Sequence, residues 1–301
     1  MKTLLHVHGL TKEYGKEKAL DQVTFSLNKN TATALIGPNG AGKTTALSML
    51  AGLLKQTSGT VVIGADLKGD IRREIGFLPQ YPQFYSWLTA LEFTEMVAKL
   101  SGLDGKNAKS QAERTLDFVG LTDAKNKKTG TFSGGMKQRL GLAQAIVHKP
   151  GLLLLDEPVS ALDPMGRREI MNLLKELQEH TTILYSTHIL NDAEEMTDQL
   201  LFLRKGQLVE QGSLREVRDK YANPLFKILF VNTEEAAKFV EMSPWPARQE
   251  NEVVLIHLEE NKPGMNEVLQ VLAKSNLQLS KVERASATLE EIFLQVVNKH
   301  E

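Results

Sequence analysis

The nine residues Gly37 to Thr45 read GPNGAGKTT and set Gly37, Gly42, Lys43 and Thr44 in the spacing G-x-x-x-x-G-K-[ST]. Glycine at these points lets the backbone turn tightly enough to bring its N–H groups against phosphate oxygens. A helix starting at the end of the loop adds the favourable field of its N-terminus. Pro38, Asn39, Gly40, Ala41 and Thr45 fill out the cradle, Lys43 is spaced to reach β- and γ-phosphates, and the Thr44 hydroxyl suits a hard cation such as Mg2+. The loop selects nucleotide binding and leaves the reaction open. A second constellation lies at LLLLDEP, where four leucines lead into Asp156 and Glu157. A carboxylate ending an apolar strand is placed to hold the cation through water, and its neighbour to polarise an attacking water.

These groups need a frame to hold them. ATALIG before the loop reads as an apolar strand and ALSMLAGLL after it as a helix. Ahead of them, residues 4–8 and 23–27 read as strands, with Tyr14 between, and SGTVVIG and EIGFLPQ add two more, the last ending at Gln80. His6 and His8 share one strand face, but with no third ligand candidate nearby they read as ordinary imidazoles. Residues 88–100 look helical, with Thr89 and Glu92 spaced as a capping box, and residues 111–119 look like a second amphipathic helix, GLDGKNAK between them reading as a loop. This makes a helical insertion over about residues 86–147. Ser133 opens a further helix as N-cap, and the free N–H groups of Ser133, Gly134 and Gly135 can bind an anion.

Asp163 and Pro164 start the next helix as N-cap and N1, and TTILYSTH is a buried strand ending at His188. Alternating strands and helices predict an α/β fold with a mainly parallel sheet, the chemical groups falling at the C-terminal ends of its strands. A hairpin turns at Lys205-Gly206, and Ser213 with Glu216 caps a short helix to Tyr221. Beyond Asn223-Pro224 the order strand, helix, two strands, helix, strand is ferredoxin-like, and a last helix is capped by Thr288 and Glu291. The chain thus divides into domains 1–221 and 222–301.

The length of 301 residues suits two domains, and 42% apolar with 24% charged residues is ordinary for a globular protein. No cysteine is present, which excludes disulfides and thiolate metal sites. The N-terminus lacks the apolar core of a secretory signal, and no apolar run approaches the length of a membrane span. The net charge of -1 makes no case for nucleic acid as a partner, and from Ala222 onward eight Lys and Arg face twelve Glu.

Over roughly the first 220 residues the chain resembles the ATP-binding subunits of ABC transporters. The resemblance rests on the phosphate loop, Gln80 as the Q-loop, Ser133-Gly134-Gly135 in the signature, LLLLDE as Walker B, SALD as the D-loop and His188 as the switch histidine, all in the family order. It implies the P-loop NTPase fold of ABC ATPase type, with an antiparallel β part, a helical insertion and a small C-terminal α+β domain. It also implies ATP and Mg2+ as ligands, hydrolysis carried by Glu157, His188, Gln80 and Lys43, and a cation held by Thr44, Gln80 and Asp156. Tyr14 looks like the aromatic that stacks on adenine, a contact worth about 1–3 kcal/mol per base in nucleic-acid systems.

The family's signature faces the γ-phosphate bound by the opposite subunit, so two chains, identical or related, are expected to close head-to-tail over two ATP with Ser160 and Asp163 along the interface. A separate integral-membrane permease is the implied partner, which puts the chain at the cytoplasmic face of the membrane. Phe132 and Met136 depart from the commonest LSGGQ signature, leaving no polar side chain at position 136. FSGGM, LTALE and LEEIF resemble the subgroup that serves ABC-2-type exporters. The rival expectation is a soluble ABC-type ATPase acting on ribosomes or DNA, against which stand a single cassette and the absence of a basic extension.

Overall fold

The computed structural model describes residues 2–64, 71–160, 162–221, 224–258, 262–285 and 288–299. By packing, the chain divides into two compact units, up to residue 214 and residues 215–299. The boundary expected at Ala222 lies outside the described residues. The first unit begins with β1 (Thr3–Tyr14), β2 (Glu17–Asn28), β3 (Ala32–Ile36), α1 (Lys43–Leu50), β4 (Ser58–Ile63) and β5 (Ile75–Leu78). Three helices follow, α2 (Ala90–Leu100), α3 (Gly105–Phe118) and α4 (Gly134–Ile146). It closes with β6 (Leu152–Asp156), α5 (Pro164–Gln178), β7 (Thr182–Thr187), α6 (Leu190–Met196), β8 (Gln199–Arg204) and β9 (Gln207–Ser213).

Six strands form the central sheet in the order β5-β6-β7-β3-β8-β9, parallel except for β9, which pairs antiparallel with β8. Every residue of β3, β6 and β7 is buried, which accounts for their continuous apolar runs. A second sheet, β2-β1-β4, is antiparallel. Its two first strands are longer than the alternation at residues 4–8 and 23–27 indicates, because register shifts along β1 break the period of two while pairing continues.

The loop expected over GLDGKNAK is a correction. Asp104 caps α3 through its side chain, which accepts from the Asn107 N–H (3.0 Å), so the helix starts at Gly105 rather than Gln111. Its buried face is made of Ala108, Ala112 and Leu116, an apolar stripe too slight to stand out among charged neighbours. The box at Thr89 and Glu92 forms in both directions, and so does the one at Thr288 and Glu291.

The second unit contains α7 (Leu214–Tyr221) from its second residue on, β10 (Leu225–Phe230), α8 (Thr233–Met242), β11 (Ala247–Glu250), β12 (Val253–His257), α9 (Met265–Ser275), β13 (Leu279–Ala285) and α10 (Leu289–Lys299). Its antiparallel sheet runs β11-β12-β10-β13, the ferredoxin-like arrangement. Phe226, Ile228, Phe230, Val254 and Ile256 build its core with Phe239 and Leu272, and Trp245 packs partly buried against them.

Candidate active site

β3 delivers the phosphate loop and α1 takes it over. Gly42 is the N-cap of α1 with φ 103, a left-handed conformation that suits glycine alone. A Cβ at Gly37 would collide with the Leu203 carbonyl of β8, so the loop is pressed against the sheet. Ala46 N–H bonds back to Gly42 (2.9 Å), which leaves the N–H groups of Lys43, Thr44 and Thr45 outside the helical ladder. Lys43 Nζ donates to the carbonyls of Gly37 (2.7 Å) and Pro38 (3.2 Å). Burial pushes this ammonium below its ordinary value, and the charges of Glu157 and Asp156 pull it back. A cavity of about 380 Å3 opens here, lined by Gly40, Gly42, Lys43, Thr44, Gln80 and Glu157 among others.

Adjacent parallel strands set the two carboxylates. Asp156 ends β6 beside Ser186 of β7, and only 2% of Asp156 and 9% of Glu157 are exposed, so neither is a solvated surface acid. Ser186 Oγ donates to Asp156 Oδ1 (2.6 Å) and accepts from the Glu157 N–H (2.8 Å). Glu157 itself turns left-handed, φ 49, a strained conformation for a residue with a side chain. Its carboxylate accepts from Gln80 Nε2 at one oxygen (3.1 Å), and its other oxygen lies 3.1 Å from His188 Nδ1 and 4.0 Å from Lys43 Nζ. Groups from the loop after β5, the start of α1 and the end of β7 therefore converge on one acid.

Other expected residues lie outside this cluster. Tyr14 is 54% exposed at the tip of the β1–β2 hairpin, with the Lys12 ammonium 4.9 Å above its ring, and the hairpin's contribution to the cavity wall is Ala19. Ser133 caps α4 by accepting from the Met136 N–H (3.3 Å), and none of Ser133, Gly134 and Gly135 lines the cavity. Gly135 faces Leu162. Ser160 Oγ donates to the Glu157 carbonyl (3.2 Å), and the Asp163 carboxylate caps α5 through the Gly166 N–H (2.9 Å). Two residues that the sequence reading did not single out also matter. Ser186 joins the acids, and Gln138 Nε2 donates to the Pro158 carbonyl (2.7 Å), tying α4 to the turn after Glu157. A polar residue inside a fully buried strand or on a buried helix face was the available clue.

Of the three residues expected to offer oxygens to a cation, Thr44 and Gln80 line the cavity, Gln80 with its Nε2 committed to Glu157, while Asp156 is buried and is not among the described lining residues. Among the described residues no cluster of three His, Asp or Glu could hold a metal unaided. Such a sparse hard donor set fits Mg2+ coordinated mainly by a nucleotide's own phosphates. Just beyond Gln80, Tyr81, Tyr85 and Trp87 are exposed, the rings of Tyr85 and Trp87 5.1 Å apart.

Residues 20–160 match the ABC transporter family, and residues 212–297 match the C-terminal domain of DrrA1-3-like ATP-binding proteins. An uncharacterized ABC transporter ATP-binding protein of Bacillus subtilis, YxlF, is 41% identical over 98% of this chain and 100% of its own length. The bacitracin transport ATP-binding protein BcrA of Enterococcus faecalis is 33% identical over 99% of this chain and 97% of its own. Among solved structures, an ATP-binding subunit of an ABC transporter matches 72% of this chain and 93% of its own at TM-score 0.66 and 30% identity. A dimeric ATP-binding cassette in a post-hydrolysis state, bound to ADP and Pi, matches 70% and 99% at TM-score 0.63 and 30% identity. With the converging acid, lysine, glutamine and histidine in place and relatives of this kind over its whole length, the chain belongs to the ATP-binding proteins of ABC transporters and is an ATPase.

Proposed function

We propose that this chain is the detachable motor of an exporter whose membrane-spanning permease is a separate protein. Two copies, or one copy and a related ATPase subunit, close head-to-tail over two ATP, each phosphate loop completed by Ser133, Gly134 and Gly135 of the opposite chain, with Ser160 and Asp163 along the seam. The observation that carries the reading is the Glu157 carboxylate, held between Gln80 and His188 at the floor of the loop cavity. In it, Glu157 takes the proton of the attacking water, His188 holds that carboxylate and contacts the γ-phosphate, and Lys43 with the loop N–H groups stabilises the phosphoryl charge. Thr44, Asp156 and Gln80 would hold Mg2+, which when bound neutralises phosphate charge. Tyr14, exposed at the hairpin tip, would stack on adenine.

Export draws support from relatives named for bacitracin transport and for daunorubicin and doxorubicin resistance. No described helix is long and apolar enough to cross a membrane, and the exposed Tyr81, Tyr85 and Trp87 beside Gln80 supply an apolar surface for a permease at the cytoplasmic face. Glu157→Gln is expected to keep ATP binding, lose turnover by a factor of about 10²–10⁴ and accumulate an ATP-bound dimer. Normal steady-state ATPase activity in that variant would overturn the assignment.

A further inference from the structure

We propose that the end of the first unit remote from the phosphate loop carries a second ligand site, which takes a small amphipathic anion such as a monoalkyl phosphate. The site goes beyond the ATPase reading and does not rest on it. β7 ends next to the carboxylate cluster and begins at Thr182, so at about 3.3 Å per residue its two ends lie roughly 15–20 Å apart. At the starting end a cavity of about 560 Å3 opens between α3, the end of α4 and the end of α5. That is within the usual size of small-molecule sites, about 300–1,000 Å3.

Two chemistries meet in its wall. Phe118, Ile146 and Leu177 make an apolar floor, while Arg114 and Lys149 stand on the rim. Neither rim side chain forms a hydrogen bond or ion pair with any described residue. Among the described lining residues Glu74 is the one acid, and it also lines a second cavity of about 380 Å3 to which Lys2 and Lys29 contribute, neither side chain forming a hydrogen bond or ion pair with a described residue. Among the described residues, the walls of the two cavities together thus carry four Lys and Arg side chains and one acidic one. Lys149 moreover occupies a left-handed position just after α4, φ 55, where glycine or asparagine is the less strained choice.

An inorganic anion would leave the apolar floor in water, and a hydrocarbon would leave the guanidinium unserved. A compact anionic head on an apolar body satisfies both, with Arg114 giving paired donors to phosphate or carboxylate oxygens and Lys149 a point charge.

Calorimetric titration of the full chain with octyl phosphate, kept below micelle formation, tests the site against inorganic phosphate and 1-octanol. Saturable one-to-one binding, tighter than either control and undisturbed by saturating ATP, is expected. The double variant Arg114→Gln, Lys149→Gln changes two exposed side chains, so its melting transition should match the parent while octyl phosphate affinity falls about tenfold or more. Flotation with phosphatidic-acid vesicles that depends on the same two residues would place the anionic head on a lipid; octyl phosphate binding without flotation would place it on a soluble molecule. Equal affinity in parent and variant, equal binding of octanol, displacement by ATP or no saturable heat would each overturn the proposal.

Discussion

One hydroxyl decides much at the residue scale. Ser186 Oγ holds Asp156 with its proton and the Glu157 N–H with its lone pair, in a strand with no access to water. Ser186→Ala leaves a buried donor and a buried carboxylate each short of a partner, which costs about 1–3 kcal/mol. Urea unfolding without nucleotide should show a loss of that size, and ATPase activity should fall because both acids lose their placement. The loop from Gly37 to Thr45 and the pair Asp156 and Glu157 were legible in the sequence because their spacing and apolar lead-in encode a backbone shape. Ser186 and Gln138 were not, since a lone hydroxyl or amide carries no period, and the left-handed turn at Glu157 falls on a residue type that does not advertise it.

At the scale of elements, the end of α4 contains a pH-sensitive support. His148 lies between that helix and β5, its Nε2 3.2 Å from the Ile75 carbonyl, and burial pushes its imidazole below the ordinary 6.5, the Ile75 contact and Glu74 opposing. The unfolded chain takes up a proton near 6.5, while the folded chain resists it until lower pH. Between those two values the unfolded state binds more protons, so the stability fully present above 6.5 is lost as pH falls through the folded value. Urea midpoints measured near pH 8 and near pH 5 should therefore diverge more for the parent than for His148→Gln. Strands β3, β6 and β7 and the capped starts of α2, α5 and α10 could be read from pattern and capping residues. The first turns of α3 could not, because two of its three most buried residues are alanines and its cap is an aspartate followed by glycine.

At the scale of the molecule, each unit has its own apolar core, and every residue lining the phosphate-loop cavity belongs to the first. A chain ending at residue 214 should accordingly bind ATP as the full chain does, with titration of a fluorescent ATP analogue as the measurement; loss of binding would show that the second unit supports the site. The ferredoxin-like order of that unit was legible because strand and helix periods alternate cleanly, whereas its role has no chemical residue to announce it. The exposed Trp87 has a practical consequence here. The chain holds two tryptophans, one in each unit, and Trp245 rests against the second core while Trp87 faces solvent beside Tyr85. Intrinsic emission thus comes with two built-in reporters: a red component that should shift to the blue if the proposed permease covers the first unit's aromatic surface, and a blue component that stays constant until the second unit melts. With no native thiol to interfere, a cysteine-linked dye placed anywhere on the surface could calibrate both.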